Sequence, residues 1–260
     1  MKTKHLIIAG MLGIALAGVI FTGCKKKSTA DTDTTAATDE ANATFAMNDA
    51  KNIADGAAKG QASERVMGAS CGVITKSDST VGGVTDTVIY ISFPGTCTSP
   101  DGRIRKGRII LLWNGKGYFD SAATITETFQ NYSINGMGVA GTRTLTNTGK
   151  NSLGQQNWAF TANLTLTYTS GKTATWQSTR TNTLVSIGGT YYYQITGTAT
   201  GVSQSGVTYN LSIASGKPLY VTAYPWWLGG CAWIESGEID ITRSSSSNTL
   251  SLDFGSVGTS

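Results

Sequence analysis

The sequence predicts an all-β fold, an antiparallel meander forming a β-sandwich or a partly open barrel, preceded by one short N-terminal helix. Three observations carry this expectation. From Val66 onward apolar and hydroxyl residues alternate with period two through "TITETFQ", "GTRTLTN", "WAFTANLTLTYT", "TATWQSTRTNTL" and "YYYQITGTATG". That is the pattern of strands with one buried and one solvated face. The segments between them carry Asn-Gly, Ser-Gly and Gly-Gly pairs, which supply the backbone freedom that tight hairpins need. Before Val66, by contrast, alanine recurs near helical spacing at Ala43, Ala46 and Ala50, followed by Ile53.

The elements follow in chain order. Lys2 and Lys4 give a basic start, and Leu6 to Phe21 is an unbroken apolar run of sixteen residues. Such a run is short for a spanning helix and typical of an export signal. Thr22 and Gly23 lead into Cys24, and polar sequence begins at once. The arrangement resembles a bacterial lipobox, with Phe21 where an aliphatic residue is usual. The resemblance implies a signal peptide over 1–23 and acylation of Cys24. The mature protein would then be anchored in the cell envelope by lipid, at the periplasmic or surface face of the outer membrane, without spanning it. The alternative is an ordinary secretory signal that ends in cysteine.

Residues 24–38 are small and polar after the cysteine and read as a flexible tether. Residues 39–65 form a helical segment, with a helix from about Glu40 to Ala58 that Gly60 ends. The β-domain occupies 66–260, and about 190 residues suffice to bury a core as one unit. In it threonine takes one phase, as at Thr142, Thr144 and Thr146 or Thr179, Thr181 and Thr183. Apolar residues such as Phe160, Leu164, Leu166 and Trp176 take the other.

Charge and cysteine usage exclude several classes. With Lys2 and Lys4 removed, 18 basic residues stand against 16 acidic ones. That near balance predicts no nucleic-acid partner. The single histidine, His5, lies in the signal segment, which removes Ser-His-Asp and Cys-His catalysis and the commonest zinc ligand sets. No phosphate loop or dinucleotide fingerprint follows any strand, so no cofactor, metal or catalytic residue is expected. Carboxylate chemistry is the enzymatic alternative, a glycan hydrolase with Glu235 beside Glu127 or Glu238. The remaining alternative is a carrier of apolar molecules on the inner face of a curved sheet, with the helix as a lid.

The ends of the β-domain echo each other. "CGVITKSDSTVGGVTDTVIYISFPGTC", from Cys71 to Cys97, and "CAWIESGEIDITRSSSSNTLSLDFGSVGTS", from Cys231, each hold a cysteine, a short strand, a turn and an alternating strand ending in Phe. Either this is a repeat or two unrelated hairpins share turn chemistry. As a repeat it pairs Cys71 with Cys97 and leaves Cys231 unpaired and buried.

Three groups of side chains are candidates for a role. Arg143 and Arg180 fall on the apolar phase, as do Glu127 and Glu235, and a buried network among these four would satisfy them all. Arg103, Arg105, Lys106 and Arg108 flank a strand start. They act there either as charges that discourage aggregation or as contacts to an anionic envelope polymer. In "YPWWLGGCAW" the neighbours Trp226 and Trp227 face opposite ways on a strand, so one of them can stack on a glycan or sit at a membrane surface while Trp233 is buried.

"GTCTSPDGRIRKGRI", "GTRTLTNTG", "TWQSTRTNTL", "TGTATG" and "GCAWIESGEIDI" together resemble a group of uncharacterised Bacteroidota lipoproteins. The resemblance covers most of residues 40–260 and implies an exported β-rich lipoprotein, with no activity attached. Members of that group continue through another cysteine where this chain ends, a departure that bears on the last hairpin. The expectation from the whole sequence is a lipid-anchored envelope protein with a non-catalytic binding or structural role, its partners the membrane and a glycan or envelope polymer.

Overall fold

The structure is a computed structural model and describes residues 25–26, 34–58, 72–81, 84–99, 102–116, 120–223 and 233–256. The chain runs β1 (Lys25–Lys26), α1 (Thr35–Ala58), β2 (Val73–Val81), β3 (Val84–Thr98), β4 (Ile104–Trp113), β5 (Thr124–Ile134) and β6 (Met137–Lys150). It continues with β7 (Gln156–Thr167), β8 (Thr173–Ile187), β9 (Thr190–Val202), β10 (Thr208–Ile213), β11 (Leu219–Thr222), β12 (Glu238–Arg243) and β13 (Ser246–Asp253).

All the strands belong to one antiparallel sheet. From β2 to β10 each strand pairs with the next, as a meander requires; β12 then joins β10, β13 joins β12, and β1 joins β13. β11 shares β9 with β10: Leu219 to Thr222 pair with Ile195 back to Tyr192, while Thr208 to Ser212 pair with Val202 back to Thr198. The sheet's end strands, β2 and β1, do not pair with each other, so the sheet is open. Of the sandwich and the partly open barrel expected, the single unclosed sheet excludes the two packed layers of the first.

The alternation settles which face is which. Ile91, Ile109, Leu111, Leu164, Leu166, Trp176, Leu211 and Ile241 all lie on the inner face, each no more than 2% exposed. The threonines between them point outward. Register shifts at Phe93/Cys97, Lys106/Arg108, Phe129/Tyr132 and Asn147/Gly149 are bulges that add local bend and twist.

The helix departs from expectation in two ways. It begins at Thr35, inside the segment read as tether, and β1 pairs Lys25 and Lys26 with Asp253 and Leu252. It also does not stand before the domain as a lid but fills the inner face: Ala36, Ala43, Ala46, Met47, Ala50, Ile53, Ala54 and Ala57 are all buried. α1 touches β3, β8 and β12 together, which one straight helix can do only if the sheet curls round it. Alanine suits that position because it favours helix and adds little girth.

Cys97 is wholly buried. Its expected partner Cys71, Cys231 and the acylation candidate Cys24 lie outside the described residues, as do Trp226 and Trp227. Both halves of the terminal echo are hairpins, β2–β3 and β12–β13, near the two ends of the sheet. Among the described residues no helix is long and apolar enough to cross a membrane.

Candidate functional site

A helix enclosed by a sheet that carries inward arginines can exist only if those charges are met. α1 brings the acids. Asp49 accepts from Arg105 through Nε at 3.0 Å and Nη2 at 2.6 Å, from Arg103 Nη1 at 2.6 Å, and from the Tyr132 hydroxyl at 3.3 Å. Arg105 also donates to Ser99 Oγ at 2.6 Å. Glu40 accepts from Arg180 Nη2, from Thr44 Oγ1 at 2.9 Å and from Trp176 Nε1 at 2.5 Å. Asp39 accepts from the Tyr168 hydroxyl at 2.5 Å and from the Gln204 amide at 2.7 Å. Asp39, Glu40 and Asp49 are each 1% exposed.

Within the sheet, Arg143 Nη2 donates to Glu127 at 2.5 Å, and Nη1 donates to the Met47 carbonyl of α1 at 2.9 Å. Glu127 and Arg143 face each other in register across β5 and β6. Burial and the neighbouring Asp49 hold the Tyr132 hydroxyl well above its ordinary pKa; Tyr168, beside Asp39, and Tyr209, near Glu40 and Asp39, are also raised, again chiefly by burial. These phenols stay protonated and act as donors or neutral packing groups.

Of the expected network, Glu127, Arg143 and Arg180 are therefore inside, but Glu235 is not. Residues 233–237 precede β12 without forming a strand, so the alternation that would turn Glu235 inward does not operate; it lies exposed and accepts from the Thr222 hydroxyl and, at 3.1 Å, the Thr222 amide. The partner of Arg180 is Glu40 instead. Trp233 is likewise not buried: it is 50% exposed and stacks on Phe45 of α1, ring centres 4.6 Å apart. Phe45 in turn carries the Arg103 guanidinium 5.0 Å from its ring centre.

The basic group divides. Arg103 and Arg105 turn inward to Asp49, so they are structural and not contacts for a polymer. Arg108 stays exposed, donating to Ser92 Oγ at 3.0 Å, and Lys106 is exposed as well. Sequence reasoning missed the helix acids because α1 read as a modest separate helix. A usable signal was present nonetheless: Arg103 and Arg105 share the odd phase of the core residues Ile109 and Leu111, which called for inward counter-charges.

Two cavities that α1 helps to line are small. The cavity lined by Thr44, Met47, Arg143, Phe160, Trp176 and Arg180 holds about 20 Å³, and that lined by Asn48, Lys51, Tyr193 and Val221 about 10 Å³. Each could take at most about one water, against roughly 300 Å³ for a small-molecule site. At the rim, an open cleft of about 260 Å³ lies between α1 and the β5–β6 hairpin, lined by Asn42, Phe45, Asn135, Met137, Tyr168 and Trp233. On the outer face, a depression of about 400 Å³ crosses β6, β7, β8 and β9. Its outward side chains are Thr142, Thr144, Thr161, Asn163, Gln177, Thr179, Thr198 and Thr200, with Ala162, Ser178 and Ala199 between them. None of these is charged. Among the described residues no cluster of His, Cys, Asp and Glu could hold a metal.

No family model, no curated protein and no solved structure matches this chain.

Proposed function

We propose that this is a lipid-anchored cell-envelope protein that binds, or forms structure, and does not catalyse. The observation that carries the reading is the state of the carboxylates. Glu127, one half of the pair a glycan hydrolase would need, is 0% exposed and engaged by Arg143. The other candidates are engaged too: exposed Glu235 with Thr222, and partly buried Glu238 with Lys217. Glu127, buried under Arg143, is not placed to flank a bond in an open cleft, the requirement for hydrolysis. The small cavities under α1 count against a carrier of apolar molecules in the sheet's interior.

The envelope location rests on the apolar run Leu6 to Phe21 ending at Cys24, and on the resemblance to Bacteroidota lipoproteins. Its test is fractionation: Cys24→Ser should move the protein from the membrane to the soluble fraction, and an unchanged distribution would reject the anchor. The non-catalytic reading is tested with the full-length protein in detergent, incubated with neutral and anionic envelope polysaccharides and followed by mass spectrometry. Retention without shortened products supports it; new chain ends would overturn it and direct attention to Glu235 and Glu238.

A further inference from the structure

We infer that the depression across β6–β9 is the ligand site and that its ligand is an extended chain of neutral sugars. The inference rests on the reading of the protein as a non-catalytic binder, and gives that reading a place and a ligand class.

The register builds the surface. Thr144, Thr161, Thr179 and Thr198 stand side by side on four consecutive strands. One step along the strands, Asn163 and Gln177 stand between Thr142 and Thr200 in the same way. Neighbouring strands lie about 4.8 Å apart, so the rows repeat a hydroxyl or amide at an interval comparable to one sugar unit of a linear polysaccharide. Each hydroxyl both donates and accepts, and each amide does so in two directions, which matches the mixed donor and acceptor edge of a sugar ring.

Three features separate this surface from an ordinary solvated face. It is a shallow, open depression of about 400 Å³. Its two outer strands carry glycines at positive φ, Gly141 (φ +113°) and Gly197 (φ +129°), where a Cβ would lie 2.1 Å from Asn163 O and 2.3 Å from Thr179 O. Its polar groups are also largely uncommitted: in the outward rows the Thr144 hydroxyl meets Thr126 Oγ1 at 3.5 Å, and no other side chain there holds a hydrogen bond within the described structure. The lining has no charge to meet an anionic polymer, since the arginines of these strands, Arg143 and Arg180, face the other way and are paired.

Net hydrogen bonds to sugars are individually weak, about 1 kcal/mol each, and the lining has no aromatic ring to add stacking. Affinity must therefore accumulate over several units, so long chains should bind and single sugars should not. The test uses full-length protein in detergent, with a soluble neutral glucan, a neutral mannan and an anionic alginate as probes in affinity electrophoresis. The paired variant Thr161→Val with Thr179→Val removes two central hydroxyls while keeping β-branched side chains; Gln177→Ala is the second variant.

Retention by a neutral polymer is expected, insensitive to salt and weakened about thirtyfold in the paired variant. Retention that neither variant changes would reject this site yet leave the binding reading standing. Retention by alginate alone, abolished by salt, would reject the ligand class. No retention on any polymer would reject the inference together with the binding reading, leaving a structural role.

Discussion

Asp49 and Arg105 meet as a two-pronged ion pair between the helix and the sheet, Nε to one carboxylate oxygen at 3.0 Å and Nη2 to the other at 2.6 Å. Both residues are almost wholly buried. Fork-shaped pairing of this kind fixes orientation as well as energy, so it registers α1 along β4. Arg103 and Tyr132 converge on the same carboxylate. Asp49→Ala would remove the carboxylate that buried Arg105 grips at two points, and the expected loss is about 3–5 kcal/mol of stability. Denaturant unfolding measures it; a loss under about 1 kcal/mol, the level of an exposed pair, would show that the pair does not form.

The other arginines predict a contrast. Arg143→Leu with Arg180→Leu should destabilise strongly, because Glu127 and Glu40 then stay buried without the guanidiniums that meet them. Removing both partners of one pair, Glu127→Leu with Arg143→Leu, should cost much less, since a well-packed apolar pair is often neutral relative to a buried ion pair. Melting of the two double variants side by side decides the matter. Equal losses would mean that packing and not charge holds this part of the interior.

Gly197 and Gly141 should resist even alanine. Both occupy positive φ, and the added Cβ would strike backbone oxygen of the neighbouring strand. Gly197→Ala is expected to cost more than about 1 kcal/mol, where an alanine at a compatible site would stabilise. A thermal melt at or above that of the parent would show that Gly197 does not hold this positive φ against Thr179 O.

Alkali should unfold this protein through its buried phenols. Tyr132, Tyr168 and Tyr209 have their pKa raised, mainly by burial, so the folded state holds these protons more tightly than the unfolded chain. Their contribution is complete below the unfolded value of about 10 and is lost as pH rises above it. Phenolate absorbance followed with far-ultraviolet circular dichroism should show these tyrosines ionising together with unfolding. Ionisation at ordinary pH in a chain that stays folded would contradict their burial.

How far the sequence could be read follows from the range of each cause. Strand alternation is local, set by two residues at a time, so it placed Glu127, Arg143 and Arg180 inside and the threonines outside. It failed at Glu235 and Trp233, where residues 233–237 are not strand and the two-residue period has no hold. It also left Arg103 and Arg105 read as surface charges, although their phase matched Ile109 and Leu111.

What the sequence determined by itself was the β class, the meander, the two faces and the need for inward counter-charges. Only the tertiary structure decided what met those charges and where a ligand could lie. Glu40 reaches Arg180 across 140 residues of chain, and Thr144 comes into line with Thr198 only through three successive registers. Periodicity is a property of neighbours along the backbone; pairing and curvature arise from the whole open sheet curling round its helix, and no local pattern encodes them.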